Sequence, residues 1–255
     1  MHLKTEDITR LEIEFDSGTV PPPYSHQFKI KMNFSRNFIN TQFDMHYTSR
    51  EELEEEEILE EGFTMDDDYA FIGELPNVWE QPMKDLYARS KWTLKKSLDE
   101  NGGIKILAKD LHGKIERSIP SNQKEWETMA QEFIQAIFEI NKKEAPLSVK
   151  FSQNSSEAQD LYELTMKFSL RKAELQVNGK LKIVDWEEAK ELLSFVYLPD
   201  YDYDQASEKT PTKRGDFIDT GDGLWYELGK GVVNIDDSFD ALSKIRSGFS
   251  NLATS

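Results

Sequence analysis

Two Asp-Ser/Thr-Gly tripeptides are the first catalytic candidates in this sequence. Asp219-Thr220-Gly221 lies in the stretch GDFIDTGDGLWYELG, and Asp16-Ser17-Gly18 follows the strand-like stretch LEIEF. An aspartic protease needs two such carboxylates sharing one proton, so that one activates water while the other donates to the carbonyl. The same tripeptides also form ordinary turns, in which aspartate accepts from the backbone ahead and glycine takes a positive φ.

Three aspartates in the C-terminal third are candidate metal ligands. Asp200, Asp202 and Asp204 have the first three ligand spacings of a calcium-binding loop. Such a loop needs glycine at its sixth position and a bidentate glutamate at its twelfth, where this sequence has Gln205 and Pro211. The pattern excludes an EF-hand and leaves a surface cation site as one hypothesis and a hydrated acidic loop as the other. The aspartates at 66–68 allow the same two interpretations.

The other chemistry-bearing residues indicate little catalysis. The chain has no cysteine, and its four histidines, His2, His26, His46 and His112, share no metal-ligand spacing. It has no Walker loop and no G-x-G-x-x-G following a strand. We therefore predict no cofactor, and we favour a non-enzymatic protein while keeping an enzyme as the alternative.

A weak internal repeat predicts the elements that position these residues. A shift of about 136 residues places LEIEF at 11–15 on LSVKF at 147–151, and the alternating run 28–34 on 164–170. Strict alternation is typical of strands with one buried face. The same shift places Asp16 on Ser152, which has no carboxylate, so the two Asp-Ser/Thr-Gly motifs are not equivalent. The repeat therefore favours turns over a protease.

Each copy continues into a predicted helix. Ser49 with Glu52, and Asp185 with Glu188, have capping-box spacing, in which a side chain at the helix start accepts from the backbone three residues on. Just before these predicted caps, Met45 and Tyr47 fall on Leu181 and Ile183 under the same shift. The match then resumes at a larger shift, with 67–75 on 222–230, which implies an insertion in the second copy.

These patterns predict an α+β protein of two related lobes, each a small, mainly antiparallel sheet with helices on one face. The N-terminal lobe is assigned to 1–98, and the C-terminal lobe to 147–255 with an insertion at 200–220. Between them, 99–146 is expected to form a connecting hairpin and a long amphipathic helix after Asn122. Its apolar residues recur at helical spacing: Trp126, Met129, Ala130, Phe133, Ile134, Ile137 and Phe138.

The turn at Asn178-Gly179 allows two registers. A two-residue loop would place Leu175 opposite Lys182, which mixes apolar and charged side chains on one face. A three-residue loop ending at Gly179 pairs Leu175 with Leu181 and keeps the faces separate. We favour the three-residue loop.

Charge is the strongest indication of a partner. The net charge is −17, and residues 50–80 contain thirteen acids and one base, Arg50. Such a surface repels phosphate backbones and attracts a basic protein, so direct nucleic-acid binding is disfavoured. The alternative is a solvated helix face that confers solubility. The candidate binding residues are four glutamates and an aromatic pair: Glu54, Glu55, Glu56, Glu57, Trp225 and Tyr226.

Composition sets the cellular context. No apolar run reaches the length of a membrane span, and the first residues lack the apolar core of a signal peptide. We expect a cytoplasmic protein without a membrane partner. The stretch VPPPY at 20–24 is expected to form a stiff, exposed crossing.

Three functions are compatible with these features. The preferred hypothesis is a protein-interaction module that presents its acidic face to a basic partner. The second is a hydrolase with a site in a cleft between the lobes. The third is an inhibitor or immunity-type protein that imitates the charge of a nucleic acid.

Overall fold

The structure, a computed structural model, describes residues 2–254 and has an α+β fold. The chain divides into two compact units, which meet in sequence between Asn141 and Lys142. Each unit is built on its own six-stranded antiparallel sheet. The mixed fold class predicted from the sequence is confirmed.

The first unit contains six strands and three α-helices. The strands are β1 (Ile8–Asp16), β2 (His26–Phe34), β3 (Phe38–Tyr47), β4 (Tyr69–Pro76), β5 (Gly103–Asp110) and β6 (Ile115–Ser118). The helices are α1 (Glu55–Glu60), α2 (Glu80–Arg89) and α3 (Gln123–Ile140). The strand order is β4-β3-β2-β1-β5-β6.

One face of the first sheet is apolar because every second residue of its inner strands is apolar. Leu11, Ile13 and Ile30 are fully buried on this face. Helix α3 contacts β4, β5 and α2, and thus closes the core. Trp79 and Phe133 meet edge to face inside it, with ring centroids 5.6 Å apart.

The opposite face of this sheet carries charged side chains on neighbouring strands. Lys29 Nζ lies 3.0 Å from Glu12 Oε2 and 2.6 Å from Glu14 Oε1. The side chains of this face therefore neutralise one another across the strands.

The second unit repeats this plan with a small additional sheet. Its strands are β7 (Leu147–Asn154), β8 (Gln159–Lys167), β9 (Lys172–Val177), β10 (Lys180–Val184), β11 (Asp200–Tyr201), β12 (Gly215–Asp219), β13 (Tyr226–Glu227) and β14 (Val232–Val233). Its helices are α4 (Trp186–Val196) and α5 (Ala241–Thr254). The main sheet has the order β10-β9-β8-β7-β12-β13, and β11 pairs with β14. Phe151 of the sheet stacks on Phe249 of α5 at 5.0 Å.

The two main sheets have the same topology. In each, four consecutive strands are followed by a helix, and two further strands extend the sheet on the far side of the first strand before a final helix. A common origin of the two units stays a prediction.

The residue-level match between the copies differs from the predicted one after the first strand. Ile30 is opposite Ile13 in the first sheet, and Leu164 is opposite Val149 in the second. Leu164 thus corresponds to Ile30 and not to Phe28, because the β7–β8 turn is shorter than the connection from β1 to β2.

The later matches are also corrected. Leu181 and Ile183 lie on β10, the neighbour of β9 and counterpart of β4, and not on the counterpart of β3. The paired stretches 67–75 and 222–230 contain β4 and β13, which occupy opposite ends of the strand order in their sheets. Short apolar matches therefore located strands without identifying their places in the sheet.

Most of the middle segment, up to Asn141, belongs to the first unit. Strand β5 pairs with β1, and β6 pairs with β5, so the hairpin expected as a connection extends the first sheet. In the second unit, β12 occupies the place of β5, so the additional segment of this copy ends before Gly215.

The hairpin at Asn178-Gly179 has the two-residue loop, and the favoured three-residue loop was wrong. Leu175 pairs with Lys182, and Asn178 and Gly179 have φ values of 50° and 80°, as in a type I′ turn. Lys182 is on the helix side because its Nζ donates to the Leu252 and Ala253 carbonyls at 3.2 and 3.3 Å. These carbonyls end α5 and need donors from outside the helix.

The two predicted helix caps had different outcomes. Asp185 accepts from the backbone N–H groups of Glu187 and Glu188 at 2.9 and 3.0 Å, so the predicted start of α4 is confirmed. The cap at Ser49 was wrong, because Ser49 has a left-handed φ of 60° where an N-cap needs an extended backbone. Helix α1 begins later, and its Glu57 carboxylate accepts from Glu54 N at 2.9 Å.

Candidate binding site

The acidic segment, defined here as residues 50–68, presents a row of glutamates to solvent. Eight glutamates of this segment are exposed: Glu51, Glu52, Glu54, Glu55, Glu56, Glu57, Glu60 and Glu61. The four predicted candidates are among them and lie at the start of α1. Carboxylates in the first turn of a helix interact favourably with its dipole, so this arrangement is locally stable despite the repulsion.

Arg50 connects the start of the acidic segment to its end through buried contacts. The side chain is buried, and Nη1 donates to Asp67 Oδ2 at 2.6 Å and to the Thr64 carbonyl. Its guanidinium carbon lies 4.0 Å from the Tyr47 ring centroid and 5.1 Å from that of Phe63. The only base among residues 50–80 is thus withdrawn from the surface.

Two aspartates of the segment are held in the charged form. Burial raises the pKa of Asp67, but hydrogen bonds from Thr64 and Arg50 outweigh it and hold the pKa below its usual value. The hydrogen bond between Asp68 and His46, with Nδ1 and Oδ2 2.7 Å apart, lowers the pKa of Asp68. Both carboxylates add to the negative charge at neutral pH.

A cavity of about 500 Å³ opens beside this segment, between the end of the first sheet and α3. We name it the aromatic cavity. Six rings line it: Phe15, Tyr24, His26, Phe28, Tyr47 and Phe63. The Tyr24 and Phe63 rings are perpendicular with centroids 5.3 Å apart, and Tyr47 meets Phe63 at 5.7 Å. Phe63 therefore belongs both to the acidic segment and to the cavity wall.

The aromatic cavity has an acidic lining, with hydroxyl and amide groups beside the carboxylates. Asp16 and Glu127 contribute carboxylates, and neither lysine nor arginine is among its lining side chains in the described chain. His26 Nδ1 lies 2.9 Å from the Tyr24 carbonyl, which only accepts. The Nδ1 nitrogen therefore carries a proton.

A second cavity, of about 560 Å³, lies against the charged face of the same sheet. Its lining mixes carboxylates with Lys29, Lys105 and His46. Two of these cations already have partners, since Lys29 binds Glu14 and His46 binds Asp68. The structure thus brings opposite charges together here.

The predicted aromatic pair lies in the core of the second unit. Trp225 is 6% exposed and Tyr226 is 1% exposed. The Tyr226 hydroxyl donates to Asp222 Oδ2 at 3.1 Å, and burial raises the pKa of Tyr226 to about 12. Trp225 also lines a cavity of about 440 Å³.

Of the three predicted metal ligands, Asp202 is engaged in local hydrogen bonds. Asp200 lies on β11, and Asp202 accepts from Asp204 N at 3.1 Å and from Gln205 Nε2 at 2.6 Å. From residue 2 to residue 254, no three histidine, cysteine, aspartate or glutamate side chains are arranged to hold a metal ion.

Both Asp-Ser/Thr-Gly motifs form turns. Asp16 Oδ1 accepts from Gly18 N at 2.8 Å, and Asp219 Oδ1 accepts from Gly221 N and Gly223 N at 2.9 and 3.0 Å. Asp219 is 2% exposed, so its carboxylate is used in the structure of the loop after β12. These hydrogen bonds are the ones expected if both motifs form turns.

Sequence reasoning missed the aromatic cavity. Its rings come from β1, β2, β3, the proline-rich connection and the segment after α1, with no common spacing. The stretch VPPPY contributes Val20 and Tyr24 to the lining and does more than cross the surface. No local sequence signal indicated this cavity.

Among residues 2–254, none of the helices has both the length and the apolar character needed to cross a membrane. Comparison of the chain with protein-family models, curated proteins and solved structures gave no match.

Proposed function

We propose that this protein is a non-enzymatic interaction module whose acidic segment binds a basic protein partner. The observation that carries the proposal is the row of eight exposed glutamates combined with the withdrawal of Arg50 into the interior. Because no exposed base interrupts the row, its potential attracts cationic surfaces and accelerates their association.

Apolar side chains within the acidic segment favour a protein over a simple polycation. Leu59 is 54% exposed and Met65 is 53% exposed. Protein interfaces combine apolar contacts with a charged rim, and methionine adapts to irregular partner surfaces. Charge would therefore steer the encounter, while these side chains would supply contact area.

The first experiment measures binding of a decalysine peptide to the full chain between about 20 and 200 mM salt. The variant replaces Glu51, Glu55, Glu56 and Glu60 by glutamine and leaves Glu57 and Glu61, whose carboxylates make hydrogen bonds. We expect association to slow about tenfold at low salt and to lose most of its salt dependence.

The matched control replaces four exposed glutamates of the second unit by glutamine: Glu157, Glu188, Glu191 and Glu208. It removes the same charge and should leave association nearly unchanged. Equal effects of the two variants would show that only the net charge matters, and the proposal would fail.

Capture from a cell extract then identifies the partner. We expect basic proteins to bind the natural chain and the control and to be lost from the acidic-segment variant. If duplex DNA displaces the captured proteins, the charge-imitating inhibitor replaces the simple interaction module. Capture of the same proteins by all three chains would contradict both.

A further inference from the structure

We propose that the aromatic cavity binds an alkylammonium or guanidinium group on an apolar stem, supplied by a lysine or arginine side chain of the basic partner. This inference rests on the proposed function and names the chemistry of one contact within it. The same chemistry could come from a free small amine, and the experiment below separates the two sources.

The rings of the cavity match the hydrocarbon part and the charge of such a group. Phe15 stacks on Phe28 at 4.8 Å, and His26 lies between Phe15 and Tyr47, with centroids 5.2 and 5.8 Å away. The perpendicular pair of Tyr24 and Phe63 continues this wall. Aromatic faces attract cations within about 6 Å of their centroids, most strongly where water is excluded.

The carboxylates of the cavity can accept further hydrogen bonds from a ligand. Asp16 keeps its position by accepting from Gly18 N and from Gln27 Nε2, each at 2.8 Å. Glu127 is only weakly compensated by Lys124, 3.6 Å away and 83% exposed. These two carboxylates complement an N–H-bearing cation.

The charge of the cavity excludes the opposite class of ligand. A carboxylate or phosphate would meet Asp16 and Glu127 without a lysine or arginine side chain in the lining. A purely apolar ligand would displace water from these carboxylates without offering a donor in return, which costs free energy. A cation on an apolar stem satisfies both the rings and the acceptors.

The chain's own Arg50 shows that two of these rings accept a guanidinium. Its guanidinium carbon lies 4.0 Å from the Tyr47 centroid and 5.1 Å from that of Phe63. The cavity also adjoins the acidic segment, since the Tyr24 hydroxyl donates to Glu61. A partner that meets the glutamates would therefore bring its basic side chains to the mouth of the cavity.

The test uses the full chain and three blocked pentapeptides with lysine, arginine or norleucine between pairs of glycines. Norleucine has the stem of lysine without its charge. We follow the methyl signals of Met45 and Ile134, which line the cavity. The lysine and arginine peptides should shift these signals at concentrations about tenfold below those needed for norleucine. Equal binding of norleucine, or shifts only outside the cavity, would overturn the inference.

The variant Asp16→Asn with Glu127→Gln removes both charges and keeps side chains of similar shape. Its affinity for the lysine peptide should fall about tenfold, with little change for norleucine. The control, Glu157→Gln with Glu191→Gln, should bind as the natural chain does. Tyr24→Ala should also weaken binding while Tyr24→Phe retains most of it, because the ring and not the hydroxyl contacts the cation. Unchanged binding by the charge-free variant or by Tyr24→Ala would contradict the proposal.

Different measurements identify the source of the cation and test the proposed function. If n-butylammonium binds more tightly than the peptides, the site stands but its ligand is a free amine, and the assignment to a partner side chain falls. If the cavity variants leave peptide binding unchanged while the acidic-segment variant still loses decalysine, the cavity proposal fails and the proposed function remains. The reverse result retains the site and removes the acidic docking surface.

Discussion

Arg50 and Asp67 form the ion pair that shapes the acidic segment, with Nη1 and Oδ2 2.6 Å apart. The arginine side chain is 6% exposed and the aspartate side chain 27% exposed. Thr64 donates to the same carboxylate through its backbone N–H and its hydroxyl, both at 2.7 Å. The pair therefore joins the start of the segment to its end and keeps the intervening glutamates on the outside.

Replacement of Arg50 should destabilise the first unit. Arg50→Met keeps much of the stem but leaves Asp67 without its cation and removes the contact with Tyr47. Because hydrogen bonds to charged groups contribute about 1.5–3 kcal/mol, we expect a loss of this size in the free energy of unfolding, measured by urea denaturation. Arg36→Met removes an exposed arginine and is the matched control. Equal stabilities of the two variants would show that the buried pair contributes nothing.

Asp219 should be needed as an acceptor and not as an acid. Asp219→Asn keeps an oxygen for Gly221 N and Gly223 N, whereas Asp219→Ala leaves both donors unsatisfied. We expect the alanine variant to lose about 1–3 kcal/mol of unfolding free energy and the asparagine variant clearly less. Equal losses in the two variants would place the importance of Asp219 in its charge, for example toward Lys150, 3.5 Å away.

Helix α5 should have a pH-dependent cap. Asp240 accepts from Ser243 N at 3.0 Å and from Ser243 Oγ at 2.6 Å, and these bonds hold the pKa of Asp240 at about 2. The unfolded value is about 3.9, so the folded state favours the carboxylate. Its contribution is therefore complete above about pH 4 and is lost as the pH falls toward about 2.

The difference in unfolding midpoint between the natural chain and Asp240→Ala should follow this window. It should be constant at neutral pH and shrink between about pH 4 and pH 2. Asp237→Ala removes a neighbouring exposed charge as a control for net charge. A difference that grows as the pH falls would contradict the assignment.

The register of the β9–β10 hairpin can be tested by cross-linking, because the chain has no cysteine. Glu174 pairs with Ile183 in the structure, whereas a three-residue loop would place it opposite Lys182. Directly opposed residues on one face have the short Cβ separation that a disulfide needs, and residues on opposite faces do not.

We expect Glu174→Cys with Ile183→Cys to oxidise to a disulfide, and Glu174→Cys with Lys182→Cys to remain reduced. The second variant is the matched control, since the first cysteine is the same. Mass spectrometry after mild oxidation and alkylation measures both. Preferential oxidation of the 174–182 pair would establish the other register.

Elements with strong local signals were predicted correctly from the sequence. The apolar spacing from Trp126 to Phe138 predicted a helix after Asn122, and α3 runs from Gln123 to Ile140. Alternation predicted strands at 11–15 and 28–34, and β1 and β2 contain them. Helical and strand periodicity involve residues close in sequence, so both patterns can be recognised without knowledge of the fold.

The candidate site was predicted only in its charged part. The glutamates are exposed in the structure because a run of acids has no partner within reach, and composition alone indicates this. Trp225 and Tyr226 looked equally available, but the core of the second unit buries them. Burial depends on what packs above a residue, and no local pattern contains that information.

Local sequence patterns were enough to predict the fold class, the amphipathic helices, the turn chemistry of Asp16 and Asp219, and the place of the excess negative charge. The tertiary structure alone decided the hairpin register, which Lys182 fixes by reaching the end of α5. It also decided the burial of Arg50 and the assembly of the aromatic cavity. The physical reason is common to all three: each depends on contacts between side chains far apart in sequence, whose free energy exists only once the sheets and helices have packed.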